Sequence, residues 1–194
     1  RGLDEAGRRP TLVISQPDRP RGRGRKTCAA PAVLEAERLG LPALQAEDLN
    51  APSVLAHIAE SGADTLVVAA FGQLLRTEIL ERYLCLNVHA SLLPAYRGAA
   101  PIERALASGE DSTGVTIMRI THSLDEGPWA LQTSLSIGLR DDAGSVGRAL
   151  ALLGAQGMDQ VLTGLEDGTV RFIPQEGPTN YAAKLCSDDC LLRL

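Results

Sequence analysis

Two hydrophobic periods alternate along this chain. Thr11 to Ser15 (TLVIS) and Asp64 to Ala70 (DTLVVAA) are short continuous apolar runs rich in β-branched residues, the pattern of strands covered on both faces. Between and after them, Ala32 to Leu39, Ser53 to Glu60, Leu75 to Arg82 and Ala100 to Ala107 carry helical spacing, and Leu84 to Val88 reads as the next strand. This alternation predicts an α/β fold with an open, doubly wound, mostly parallel sheet and crossover helices. Thr113 to Ile120 (TGVTIMRI) alternates more clearly, as an antiparallel or edge strand does. From Asp142 to Leu165, Val146, Leu150, Leu153, Gly157, Val161 and Leu165 recur at three- and four-residue steps, so a long amphipathic helix is expected. Gly154 and Gly157 either weaken that helix or mark close packing. Gly168 ends it, and Val170 to Ile173 could add a short strand. No repeat, low-complexity tract or internal linker divides the chain, so one domain is expected.

Composition narrows the class. At 194 residues the chain can bury a sizeable core without borrowing stability from metals or disulfides. Its 44% hydrophobic and 22% charged content is that of an ordinary globular protein, and no apolar run approaches a membrane span. No secretory signal precedes Cys28, Cys85, Cys186 and Cys190, so a cytoplasmic protein with reduced thiols and no membrane partner is expected. The Cys186–Cys190 spacing lacks a second ligand pair, and no metal is expected. Only 3% of residues are aromatic, too few for a base-stacking platform. The net charge is −5, yet Arg19, Arg21, Arg23, Arg25 and Lys26 share eight residues with no acid. The remainder holds 14 bases against 24 acids, net −10, so an acidic body displays one basic segment. Its Gly and Pro predict a mobile surface loop, and its spacing excludes a phosphate-cradling G-x-x-x-x-G-K-[ST] loop. Lys and Arg gathered in this way suit nucleic-acid phosphates, with salt-dependent binding.

The candidate chemistry sits at a strand end. In open α/β sheets ligands bind outside the carboxyl ends of strands, and there this chain places Asn87 and His89. Strand side chains alternate, so these two share a face while Val88 turns to the other. No Ser or Cys occupies a G-x-S-x-G elbow, and Cys85 belongs to the strand body. An amide and an imidazole aimed at one point suit a developing oxyanion, which points to acyl transfer without a covalent intermediate. A carboxylate is then needed to orient the imidazole and move a proton. Asp125, in Ser123-Leu-Asp-Glu-Gly127, is the best placed, ahead of Asp64 and the Asp141-Asp142 pair. His57, on a helix, and His122, in a loop, have no identifiable partner.

Asn87-Val-His89-Ala-Ser91-Leu-Leu-Pro94 and Leu124-Asp125-Glu-Gly127 resemble the two signatures of formyltransferases that use 10-formyltetrahydrofolate. Tyr96-Arg-Gly-Ala-Ala-Pro-Ile102, Thr113-Gly-Val-Thr-Ile-Met118 and Gln16-Pro-Asp-Arg-Pro20 with Gly22-Arg-Gly24-Arg-Lys26 narrow the resemblance to the methionyl-tRNA formyltransferases. It runs from about Thr11 to about Leu185. It implies a Rossmann-like formyltransferase domain over residues 1–185 that moves a formyl group from 10-formyltetrahydrofolate to the α-amine of initiator methionyl-tRNA, for translation initiation. It further implies that Asn87 and His89 stabilise the oxyanion while Asp125 orients His89 and helps move the amine proton. Ser91, Leu92, Leu93 and Pro94 would line the folate site, with Phe71 to Leu74 and the Asp141-Asp142 loop beside it. Arg19, Arg21, Arg23, Arg25 and Lys26 would meet the tRNA acceptor arm, and a monomer is expected. A glycinamide-ribonucleotide or sugar-nucleotide formyltransferase would share Asn87, His89 and Asp125 without needing the basic segment. An inactive tRNA- or folate-binding fragment is the remaining alternative.

The chain also departs from the pattern it resembles. It starts near the end of the family's first helix, so the first strand is expected to be missing and stability to be marginal. Residues 186–194 are expected to begin a linker toward a C-terminal β-barrel that the chain lacks. Arg76 stands where a proline is common.

Overall fold

The computed structural model describes residues 1–21, 26–186 and 189, which fall into two compact units, Arg1–Leu66 with Phe71–Cys85 and Val67–Ala70 with Leu86–Leu194. The first unit runs α1 (Gly2–Glu5), β1 (Val13–Ser15), β2 (Arg19–Arg21), β3 (Lys26–Cys28), α2 (Pro31–Arg38), β4 (Ala43–Gln45), α3 (Pro52–Glu60), the start of β5 (Thr65–Ala69) and α4 (Thr77–Arg82). Pro31 and Pro52 open their helices at the position where a missing N–H costs nothing. Their inward stripes bury Val33 and Ala36, and Val54 and Ile58. Strands β1 and β4 pair in parallel from Val13 with Ala43 to Ser15 with Gln45.

The basic segment is not the plain loop its glycines suggest. Its flanks, β2 and β3, pair antiparallel, Arg19 with Cys28 and Arg21 with Lys26. A two-stranded ribbon leaves an outer side where Pro20 needs no ladder donor. Arg23 and Arg25 lie outside the described residues. At Arg76 the departure has a local cause: its backbone N–H donates to Asn50 Oδ1 at 2.8 Å, a bond proline cannot make.

The second unit is built on a four-stranded sheet of order β5-β6-β8-β9, with β6 at Leu84–His89, β8 at Ser112–Arg119 and β9 at Trp129–Ser136. Between β6 and β8 come β7 (Arg97–Gly98) and α5 (Pro101–Ala107), and after β9 come α6 (Ala143–Glu166) and β10 (Tyr181–Ala182). Strand β8 is antiparallel, as its alternation predicts, but it is internal: it pairs with β6 on one side and β9 on the other. The register sets Val88 opposite Ile117 and His89 opposite Thr116. Val170 to Ile173 forms no strand, only a bridge from Ile173 to Trp129.

The two glycines of α6 mark close packing. A methyl group on Gly154 would stand 2.6 Å from Val88 Cγ1, and one on Gly157 would stand 3.0 Å from Leu131 Cδ2. The helix backbone therefore lies directly on the sheet, burying Val115 and Ile117 beneath Val146, Leu150, Met158 and Val161. Its start is fixed by a capping box: Ser145 N–H donates to Asp142 Oδ1 at 2.7 Å, and Asp142 N–H donates to Ser145 Oγ at 3.0 Å. With Val88 committed to that helix, Asn87 and His89 are left to the opposite face of β6.

Candidate active site

Strand β6 ends at His89, and the chain then turns through Ser91 to Pro94 and folds back onto β8. Thr116, the residue paired with His89, holds this corner. Its hydroxyl donates to Ser91 O at 2.6 Å and accepts from Leu93 N–H at 3.1 Å and Gln132 Nε2 at 3.1 Å. Gln132 Nε2 also donates to Leu93 O at 2.7 Å. Thr116 and Ser91 are fully buried, so the polar groups that shape the corner are satisfied by one another. Ser91 Oγ donates to Ala95 O at 2.6 Å, which commits it to the turn. Of the four corner residues expected to face a cofactor, Ser91 and Leu93 are buried and Leu92 and Pro94 are half-buried.

The corner also fixes the imidazole. Tyr96 has a left-handed backbone (φ 58°), and its carbonyl lies 2.9 Å from His89 Nε2. A carbonyl only accepts, so Nε2–H donates and the ring presents Nδ1 to the other side. There Asp125 Oδ2 lies 3.7 Å away, within ion-pair reach but too far for a hydrogen bond. The His89 and Asp125 side chains are 6% and 13% exposed, so the pair sits in a sheltered but reachable place. The side-chain amide of Asn87 makes no hydrogen bond among the described residues and is only half-buried. The structure thus brings together the three residues the sequence singles out, Asn87 and His89 by strand register and Asp125 by a turn.

That turn is itself constrained. Asp125 is left-handed (φ 51°), and its Oδ2 accepts from Gly98 N–H at 2.9 Å. Gly127 has no room for a side chain: a methyl group would fall 1.8 Å from Arg119 O. Gln175, which sequence reasoning passes over, reaches in from fifty residues away. Its Nε2 donates to Asp125 O at 2.8 Å and Gly127 O at 2.7 Å. Its Oε1 accepts from Arg97 Nε at 3.1 Å and Nη2 at 2.8 Å, and Arg97 Nη1 reaches Glu126 Oε1 at 3.1 Å. A cleft of about 360 Å³ opens beside this turn, lined by Arg97, Leu124, Glu126, Thr179, Asn180 and Tyr181. It includes both sequence neighbours of Asp125.

Other candidates lie elsewhere. Asp141 accepts from Gly138 N–H and Ser145 Oγ, which holds its carboxyl below the usual range, and with Asp142 it serves the start of α6. His57 Nδ1 contacts Ser53 O at 2.7 Å within α3. Cys85 is buried in the strand, as expected. Cys190 lies outside the described residues, and among the described residues no three His, Cys, Asp or Glu group to hold a metal ion. No helix among them is long and apolar enough to cross a membrane. In the basic segment Arg19 is exposed, and Arg21 and Lys26 lie on the paired strands.

Chemically, the site offers an amide, an imidazole and a carboxylate, with no activated nucleophile: Ser91 Oγ is committed and Cys85 is buried. Its strength is in stabilising a transient negative oxygen and moving a proton.

Comparison with known proteins bears on what is transferred. The formyl transferase family matches residues 5–162. The chain is 45% identical over 193 residues to the methionyl-tRNA formyltransferase of Geobacter metallireducens, covering 98% of this chain and 62% of the relative. It is 44% identical over 197 residues to that of Halorhodospira halophila, covering 98% and 63%. The chain therefore spans about three fifths of the length of the curated relatives it matches. Among solved structures, glycinamide ribonucleotide transformylase 1 from Symbiobacterium toebii aligns with a TM-score of 0.71 at 24% identity, over 88% of this chain and 85% of that one. The formyltransferase PseJ from Anoxybacillus kamchatkensis, solved with UDP-4,6-dideoxy-4-formamido-L-AltNAc and tetrahydrofolate, aligns with a TM-score of 0.62 at 20% identity, over 88% and 84%. These likenesses show an α/β, Rossmann-like formyltransferase fold.

Proposed function

The chain belongs to the formyl transferase family, and from that membership we propose that it transfers the formyl group of 10-formyltetrahydrofolate to the α-amino group of initiator methionyl-tRNA. The observation that carries the reading is the convergence at the end of β6: Asn87 and His89 on one face, with Asp125 Oδ2 3.7 Å from the imidazole. The acceptor is inferred from the methionyl-tRNA formyltransferases that match nearly the whole chain.

The residues then divide the work. The Asn87 amide donates to the formyl oxygen as the amine nitrogen bonds to the formyl carbon, and His89, whose Nε2–H is committed to Tyr96 O, joins it from the other side of the ring when Nδ1 also carries a proton; each donor is worth about 3–4 kcal/mol at such a position. Asp125 takes the proton the amine must lose, with Oδ2 held by Gly98 N–H and Oδ1 left without a partner among the described residues. A proton goes to N10 as the bond from the formyl carbon to N10 breaks, which balances the transfer. The corner Ser91 to Pro94 presents Leu92, Pro94 and its backbone to the folate. Arg19, Arg21 and Lys26 on the ribbon, with Arg23 and Arg25 between them, supply charge for tRNA phosphates, so binding weakens with salt.

The test is transfer of labelled formyl to methionyl initiator tRNA, glycinamide ribonucleotide and a sugar-nucleotide amine, using this chain and its His89→Ala variant. Label on the tRNA-bound amino acid, reduced at least about a hundredfold in the variant, is the expected result. Label on another acceptor overturns the choice of tRNA, and label unaffected by the variant overturns the site.

A further inference from the structure

We propose that Gln175 is a positioning residue for Asp125, acting on the carboxylate through the backbone of the turn; the inference rests on the transfer reaction proposed above. Asp125 must hold its carboxylate toward His89 from a left-handed backbone, φ 51°, which a residue with a side chain keeps only where its surroundings over-determine it. Two contacts do so. Gly98 N–H fixes the carboxylate at 2.9 Å, and Gln175 Nε2 fixes the residue's own carbonyl at 2.8 Å. The second hydrogen of the same nitrogen holds Gly127 O at 2.7 Å, so one amide spans the turn on both sides of Glu126.

The orientation of that amide is settled by its neighbours. Two carbonyl oxygens face one end and the Arg97 guanidinium faces the other, so only Nε2 toward the turn and Oε1 toward Arg97 satisfies all four bonds. Gln175 is anchored in turn: Ile173 exchanges two backbone bonds with Trp129 at 2.8 and 2.9 Å, and Arg97 N–H donates to Asn180 O at 3.2 Å. The segment therefore delivers one amide to a defined point. A side chain with this bonding fixes where the Asp125 carboxylate stands relative to His89 Nδ1 and to the incoming amine, a placement on which the proposed proton transfer depends steeply.

The experiment compares Gln175→Glu and Gln175→Met in the 194-residue chain. Glutamate keeps the shape and the acceptor for Arg97 but loses both donors to the turn; methionine loses everything. The imidazole resonances of His89, assigned by their absence in His89→Gln, are followed by NMR with His57 of α3 as the reference. Formyl transfer is measured alongside. In both variants the His89 signals are expected to move while those of His57 hold, and kcat is expected to fall about tenfold or more with KM for either substrate within about twofold. Unchanged His89 signals in the methionine variant overturn the proposal. So does a glutamate variant with wild-type signals and kcat, because the Arg97 contact alone would then suffice. A chain that transfers no formyl in any form overturns the reaction assigned above, while the NMR comparison still decides the role of Gln175.

Discussion

Two turns flank His89, and the molecule fixes them by different means. The corner Ser91 to Pro94 closes on the Thr116 hydroxyl and the Gln132 amide, in a network that contains no titratable group and whose central hydroxyl is fully buried. The turn Leu124 to Gly127 is held by half-buried or exposed groups, Gln175, Arg97 and Glu126, beside an open cleft. Buried networks are costly to break, whereas bonds near solvent are replaced by water at small cost. The corner is therefore a fixed wall that carries stability, and the turn is the part that the proposed transfer uses for its chemistry.

The largest expected effect tests the turn. Asp125→Asn keeps an acceptor for Gly98 N–H and tolerates the left-handed backbone, so thermal stability should change little while the rate falls about 10²- to 10⁴-fold. A variant that loses stability in step with rate would erase the contrast between the turns. Next comes the wall. Thr116→Val keeps the shape but strands Ser91 O and Leu93 N–H in a buried site, at about 1–3 kcal/mol for each group left unsatisfied. Denaturant unfolding should show a loss of about 2–5 kcal/mol, and a loss below about 0.5 kcal/mol would show that the corner is not stiffened by this network.

The smallest effect concerns the stretch of chain after α6 that carries Gln175 to the turn, here called the strap. Arg104 donates to Ala183 O at 3.0 Å and pairs with Asp189 at 2.8 and 3.0 Å, which lowers the Asp189 carboxyl from 3.8 to about 2. A depressed carboxylate stabilises the folded chain above its unfolded pKa, and that contribution is lost as pH falls from about 4 toward 2. Thermal melts over that window should slope less steeply in Asp189→Asn than in the wild-type chain. Identical slopes would mean that the ion pair does not tie down the strap.

Much of this arrangement was legible in the sequence because it obeys local periods. Alternation put Asn87 and His89 on one face of a strand, and three- and four-residue steps drew α6 within a residue or so of its observed bounds. What escaped has no local period. Strand β9, Trp129–Ser136, mixes apolar and polar residues without alternation because its exposure changes little along its first five positions. Strand β4 spans three residues, too few to show a pattern. The ribbon 19–21 with 26–28 looked like a loop because glycine and proline signal turns more loudly than three-residue strands signal pairing. Thr116 reads as one polar step in an alternating strand, and nothing local shows that its hydroxyl carries the corner. Gln175 follows a proline in a stretch with no helix or strand pattern, and its partners lie fifty residues earlier. Contacts fixed only by the folded chain leave no mark in one sequence.

The glycine seam of α6 has a bearing on mutational surveys. Gly154 meets no reactant, yet a single added methyl there would stand 2.6 Å from Val88 Cγ1 and force a shift, whereas one on Gly157 would ask the end of Leu131 to give by a few tenths of an ångström. A selection for active clones would reject larger side chains at Gly154 along with, on the proposed mechanism, changes at His89. A tolerance map of this chain would thus show two intolerant stripes on opposite sides of one strand, and only an assay that counts folded molecules separately from turnovers would tell scaffold from chemistry.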